Sequence, residues 1–111
     1  MELTRTDGEL VCRARVATSF ASRLRGLMGA ARLPRGSGLL FPGSRSVHTH
    51  FMRFPIDVVF LDADGRIVSI VHALRPWRFA AAKHAHAVLE LAAGECERLK
   101  LAEGDALLGA R

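Results

Sequence analysis

Ile56-Asp57-Val58-Val59-Phe60-Leu61, then Asp62-Ala63-Asp64-Gly65, then Arg66-Ile67-Val68-Ser69-Ile70-Val71-His72-Ala73-Leu74 is the stretch that decides the fold. Two runs rich in β-branched and aromatic residues flank an Asp/Gly turn in which Gly65 is available for positive φ. The segment therefore reads as a β-hairpin. One polar side chain, Asp57, lies inside the first run. A carboxylate turned inward must be ion-paired or hydrogen-bonded. An arginine such as Arg23 or Arg53 is the natural partner, which would make a polar Arg–Asp core for a small ligand or a peptide end. The plainer alternatives are a structural ion pair or an Asp on the solvent face of an edge strand.

Working outward, Leu3 to Arg5, a turn at Thr6-Asp7-Gly8, and Glu9 to Ala17 form a second hairpin. In its second run Leu10, Cys12, Ala14 and Val16 alternate with Val11, Arg13 and Arg15, the period of two of a half-buried strand. Thr18 or Ser19 can cap a short helix over Phe20 to Met28, with Phe20, Leu24, Leu27 and Met28 on one face. Ala30 to Ser37 reads as a loop, and Gly38 to Phe41 as a short strand stopped by Pro42-Gly43. Val47 to Arg53 is expected to be extended. Arg75 to Lys83, with Pro76 and Trp77, is expected to be a loop. His86 to Leu91 reads as a strand, Ala93 to Leu99 as one or two helical turns, and Ala106 to Leu108 as a last strand. About seven short strands with one or two short helices and no βαβ rhythm predict a mainly β single domain over residues 1–111, a β-sandwich or small barrel.

Length and composition agree. A chain of 111 residues, half of them hydrophobic, can bury a core without disulfides. It has no apolar run of membrane-spanning length. Its first eight residues carry no apolar segment of the kind a signal peptide needs, so a cytoplasmic location and a monomer are the default expectations. Cys12 and Cys96 stand far apart without a zinc-type cluster and read as buried free thiols.

Sixteen basic against eleven acidic residues leave a formal charge of +5. Fourteen of the sixteen are arginine, and Asn, Gln and Tyr are absent. Codon bias in a G+C-rich genome accounts for much of that, the missing Gln apart. It does not account for the distribution. No Asp or Glu occurs from Leu10 to Ile56, a stretch that holds eight arginines, whereas acids and bases nearly balance from Asp57 onward. Such asymmetry points to an anionic partner, unless the two halves interleave in space.

The densest cluster of reactive side chains is Ser44 to Asp57. On an extended Val47–Arg53 segment, His48, His50 and Met52 share one face, a donor set suited to a soft metal. One flat strand cannot bring all three to one ion, so no metal site and no cofactor is expected. His48 with Asp57 can also be drawn as an acid–base pair of a small hydrolase or isomerase, though no nucleophile elbow or cysteine-protease context accompanies it. Phosphate-binding loops are absent. Phe51, Phe54, Trp77 and Phe79 near basic residues could stack bases. With aromatics at only 6% of the chain, the core has first claim on them, and single-stranded nucleic acid ranks behind other partners.

The ordered set Arg23-Leu24-Arg25-Gly26-Leu27-Met28, Gly38-Leu39-Leu40-Phe41, Met52 through Gly65, Ala87 through Gly94, and Gly104-Asp105 resembles domain of unknown function family 192 across nearly the whole chain. The resemblance implies a compact, mainly β domain with a short helix near the Arg-Leu-Arg-Gly-Leu-Met segment, and it implies no established activity. Many members carry Trp-Met-Lys-Asn where this chain has Phe51-Met52-Arg53-Phe54. The match is to a shorter type with a Val-His-Thr segment like Val47-His48-Thr49. His50 stands where that family more usually has an aromatic residue, which counts against a two-histidine metal site. Positions matching the family's polar motifs are Arg23, Met52, Arg53 and Asp57, with His48 matching the shorter type. Adding Arg45 from the acid-free stretch gives the expected patch: Arg23, Arg45, His48, Met52, Arg53 and Asp57. The expected role is a binding or accessory module for an anionic small molecule or a protein segment.

Overall fold

The computed structural model describes residues 1–17, 33–50 and 52–109. The helix expected over residues 20–28, and with it Arg23, lies outside them. Among the described residues there are nine strands and one four-residue helix. The strands are β1 (Glu2–Thr4), β2 (Leu10–Val16), β3 (Ser37–Pro42), β4 (Ser46–His48), β5 (Ile56–Leu61), β6 (Ile67–Leu74), β7 (Phe79–Ala81), β8 (Ala87–Ala92) and β9 (Leu108–Gly109), and the helix is α1 (Glu95–Arg98). Seven strands form one sheet in the order β6-β5-β8-β3-β2-β1-β9, and β4 and β7 form a separate two-stranded sheet. All pairs are antiparallel except β2 with β3, where Arg13 lies opposite Ser37 and Val16 opposite Leu40.

The large sheet closes on itself. Arg66, just before β6, bridges Ala106, just before β9. Ile67 donates its N–H to the Asp105 carbonyl, and Leu107 donates to Gly65. The two edges thereby meet at the start of β6, which shortens the exposed strand edge that an open sheet would present. Of the two architectures expected, the small barrel is the one formed.

Closure creates two cores. Along β5 the side chains alternate: Val59 and Leu61 join Cys12, Ala14, Ile67, Leu89, Leu91, Cys96 and Leu107 inside the barrel. Ile56, Val58 and Phe60 instead join Leu39, Val47, Met52, Phe54 and Val88 outside it. The small sheet and the 52–54 segment cover that outer face. A strand buried on both faces has no polar alternation, which is why Ile56–Leu61 reads as a nearly continuous apolar run. Gly38 makes the interior tight: a Cβ there would come within 3.1 Å of both Cys12 Sγ and Leu91 Cδ2.

Two expectations fail for the same reason. The Val47–Arg53 segment is not one strand, because β4 ends at His48 and the Met52 N–H bonds back to the Thr49 carbonyl at 3.2 Å. Residues 79–81 are not loop but strand β7, with Ser46 opposite Ala81 and His48 opposite Phe79. A three-residue strand carries too little side-chain pattern to be read locally; what makes it a strand is its backbone partner.

Candidate functional site

Asp57 is fully buried, and among the described residues no arginine pairs with it. Its Oδ1 accepts the Ala73 N–H at 2.9 Å. Its Oδ2 accepts the N–H groups of Gly94 at 3.1 Å and Cys96 at 2.9 Å. The β5–β6 register slips here, with Ile56 opposite Leu74 but Val58 opposite Val71. Two residues, His72 and Ala73, thus oppose Asp57 alone, a β-bulge, and Ala73 sits at φ 48°. The carboxylate accepts the N–H that the bulge leaves unpaired. It also caps the start of α1, whose own N-cap, Gly94, has no side chain to do so. Among the described residues its partners form a carboxylate–backbone knot; Arg23, one of the two arginines expected beside it, lies outside them. Arg53, the described candidate partner, is exposed. Asp57 thus has no exposure and holds three backbone donors on its oxygens.

The other described residues of the expected patch lie in different settings. Met52 is buried in the outer core. His48 is half-buried on β4, its ring centroid 4.9 Å from that of His50. The turn at Thr49 removes the extended segment that would have lined up His48, His50 and Met52. Among the described residues no three His, Cys, Asp or Glu side chains are arranged to hold a metal ion. No described helix is long and apolar enough to cross a membrane.

Two further buried carboxylates were not singled out by sequence. Glu95 is 3% exposed and accepts both Nε and Nη2 of Arg98 at 2.8 Å. Arg35 Nε lies 3.4 Å away. The Arg98 hydrogen bonds hold the Glu95 carboxyl below its ordinary value, against the opposing effect of burial. Glu90 is fully buried on β8, between Leu39 of β3 and Val58 of β5. Both thiols are pushed up, chiefly by burial, Cys12 to about 11; the Asp57 charge adds to the effect at Cys96. Both are buried free thiols.

Arg45 opens onto a concavity. A cleft of about 630 Å³ lies between the Gly43–Arg45 turn, the Asp62–Asp64 turn and the Lys83–His86 loop. Backbone bonds hold the three segments together: Gly43 donates to His86 at 2.7 Å, His86 to Leu61 at 2.7 Å, and Ala82 to Arg45 at 3.0 Å. Arg45, Lys83, His84 and His86 are all exposed on its rim, facing Asp62 and Asp64. Asp62 Oδ1 is engaged by the N–H groups of Asp64 and Arg66, and both carboxylates line the cleft. Lys83-His84-Ala85-His86 was not singled out in the sequence, and nothing local shows that it faces Arg45.

The family model DUF192, described as "Uncharacterized ACR", matches residues 2–109. A UPF0127 protein of Pyrococcus furiosus is 37% identical over 106 residues, 89% of this chain and 88% of that one. A UPF0127 protein of Thermococcus sibiricus is 32% identical over 111 residues, 95% of this chain and 71% of its own. Two solved structures share the fold. One, from Sinorhizobium meliloti 1021 and named for a candidate role in transcription regulation, has a TM-score of 0.82 at 27% identity, covering 97% of this chain and 90% of that one. The other, a protein of unknown function from Novosphingobium aromaticivorans, has a TM-score of 0.80 at 26% identity, covering 97% and 82%.

Proposed function

The chain belongs to the DUF192 family, and we propose that it acts as a binding module, not as an enzyme, with the Arg45 cleft as its ligand site. The observation that carries this reading is the convergence of Arg45, Lys83, His84 and His86 on one cleft. The cleft is not uniformly positive, because Asp62 and Asp64 oppose the two full cations. That arrangement suits a small polar molecule with a carboxylate or phosphate at one end and an amine or hydroxyl at the other. Arg45 and Lys83 would take the anionic end, and Asp64 would accept from the donor end. The end of a protein chain offers similar groups.

Chemical-shift titration with inorganic phosphate, acetate and free amino acids tests it. Expected are shifts at residues 43–45 and 83–86 that are lost in Arg45→Ala combined with Lys83→Ala. Asp64→Asn should weaken amino acids and spare phosphate. Absence of shifts in these segments at millimolar anion removes the reading.

A further inference from the structure

The outer face of the small sheet carries a row of rings. Val47 and Ala80, paired across β4 and β7, face the second core. The next pair, His48 and Phe79, therefore projects from the opposite face. His48 lies against His50, and His50 meets Trp77 edge-on at 5.1 Å. Phe79 is 65% and Trp77 56% exposed, more than any other large apolar side chain among the described residues.

This display is held rigid. Trp77 has φ 63°, a left-handed conformation that a bulky side chain adopts only when its surroundings impose it. The fully buried Thr49 imposes it. The Thr49 carbonyl accepts the Trp77 N–H at 3.0 Å, and the Thr49 N–H donates to the Arg78 carbonyl at 2.9 Å. The Thr49 hydroxyl donates to the Arg75 carbonyl at 2.6 Å and accepts the Arg78 N–H at 2.9 Å. The order Thr49, Trp77, Phe79 is thus fixed before any partner arrives.

The segments that carry the rings hold no acidic residue. No Asp or Glu occurs in residues 10–56 or 65–89. Both strands of the small sheet and the turn between Leu74 and Phe79 lie within those spans. Arg75 and Arg78, both exposed, flank Trp77 and Phe79. Flat rings beside unopposed guanidinium groups match a polyanion that presents flat rings of its own. We propose that this face binds single-stranded nucleic acid, with bases stacked on Trp77 and Phe79 and phosphates held by Arg75 and Arg78. A duplex hides its base faces and fits less well. The site lies at the Thr49 end of the small sheet and does not depend on the Arg45 cleft.

Trp77 is the sole tryptophan, so intrinsic fluorescence reports this surface directly. Titration with an oligodeoxythymidylate of about 12 nucleotides should quench it. The log of the affinity should fall with log salt by about 0.7 per phosphate contact. Phe79→Ala, at an exposed position, should keep the far-ultraviolet dichroism and weaken binding about 5-fold or more. Arg75→Ala and Arg78→Ala should each flatten the salt slope by about 0.7. The proposal is overturned by absent quenching at millimolar strand in low salt, by salt-independent binding, or by unchanged affinity in Phe79→Ala. It is equally overturned if phosphatidylglycerol vesicles or an acidic peptide quench Trp77 and the oligonucleotide does not.

Discussion

The Oδ2 oxygen of Asp57 accepts the backbone N–H of Cys96 at 2.9 Å, across 39 residues of sequence. The same side chain accepts from Ala73 and Gly94. One carboxylate thus ties the central strand β5 to the bulge of β6 and to the start of α1.

Asp57→Ala should leave three backbone N–H groups without acceptors. Each such group costs about 1–3 kcal/mol, so a loss of about 3 kcal/mol or more is expected. Asp57→Asn keeps the shape but supplies one acceptor oxygen in place of two, and should lose less. Urea unfolding with the slope held constant measures both. An Asp57→Ala protein as stable as the parent would show that the knot does not hold the fold.

Val59→Asp and Phe60→Asp should each unfold the domain. Adjacent strand residues point to opposite faces, and one of the two would ordinarily tolerate a charge. Here both are fully buried, one in the barrel and one outside it. A cost of about 4 kcal/mol or more is expected for each. A cooperative thermal melt near the parent's for either variant would show that one face of β5 is open.

Gly65→Ala tests barrel closure. Gly65 has φ 82°, and a Cβ would stand 2.7 Å from the Leu107 carbonyl oxygen. The left-handed backbone alone costs about 1–2 kcal/mol, and the clash strikes the bond that joins β6 to β9. Faster amide exchange at Ile67 and Leu107 should accompany the lower stability.

Cys12 makes stability fall at alkaline pH. Burial raises its thiol from 9.0 to about 11, partly offset by the N-terminal ammonium. A group whose folded pKa is raised contributes its full stability below the unfolded pKa and loses it as pH climbs through the folded one. Between pH 9 and 11 the parent should lose about 2–3 kcal/mol more than Cys12→Ala does. Parallel pH profiles for the two proteins would contradict the burial of this thiol.

The hairpins 3–16 and 56–74, strands β3 and β8 and the turn of helix at 95–98 were all legible, because period-two alternation and Gly/Asp/Pro punctuation are local properties. Strand β7 was not, and β4 was read too long, because a short edge segment is defined by what it pairs with. Arg45 was found from the charge distribution. Its companions Lys83, His84 and His86 lie about forty residues away in sequence, a separation that the β3–β8 and β4–β7 pairings collapse.

Asp57 marks the boundary between the two kinds of knowledge. The amino-acid order alone determined that a carboxylate stands inside an apolar strand and must be satisfied, because burial and desolvation follow from side-chain chemistry. It pointed to an arginine, since a side chain is the only partner that a string of residues displays. What the tertiary structure brings to Asp57 is three backbone N–H groups. Every residue but proline carries that group, so nothing in the sequence distinguishes the ones that closure of the barrel leaves unpaired.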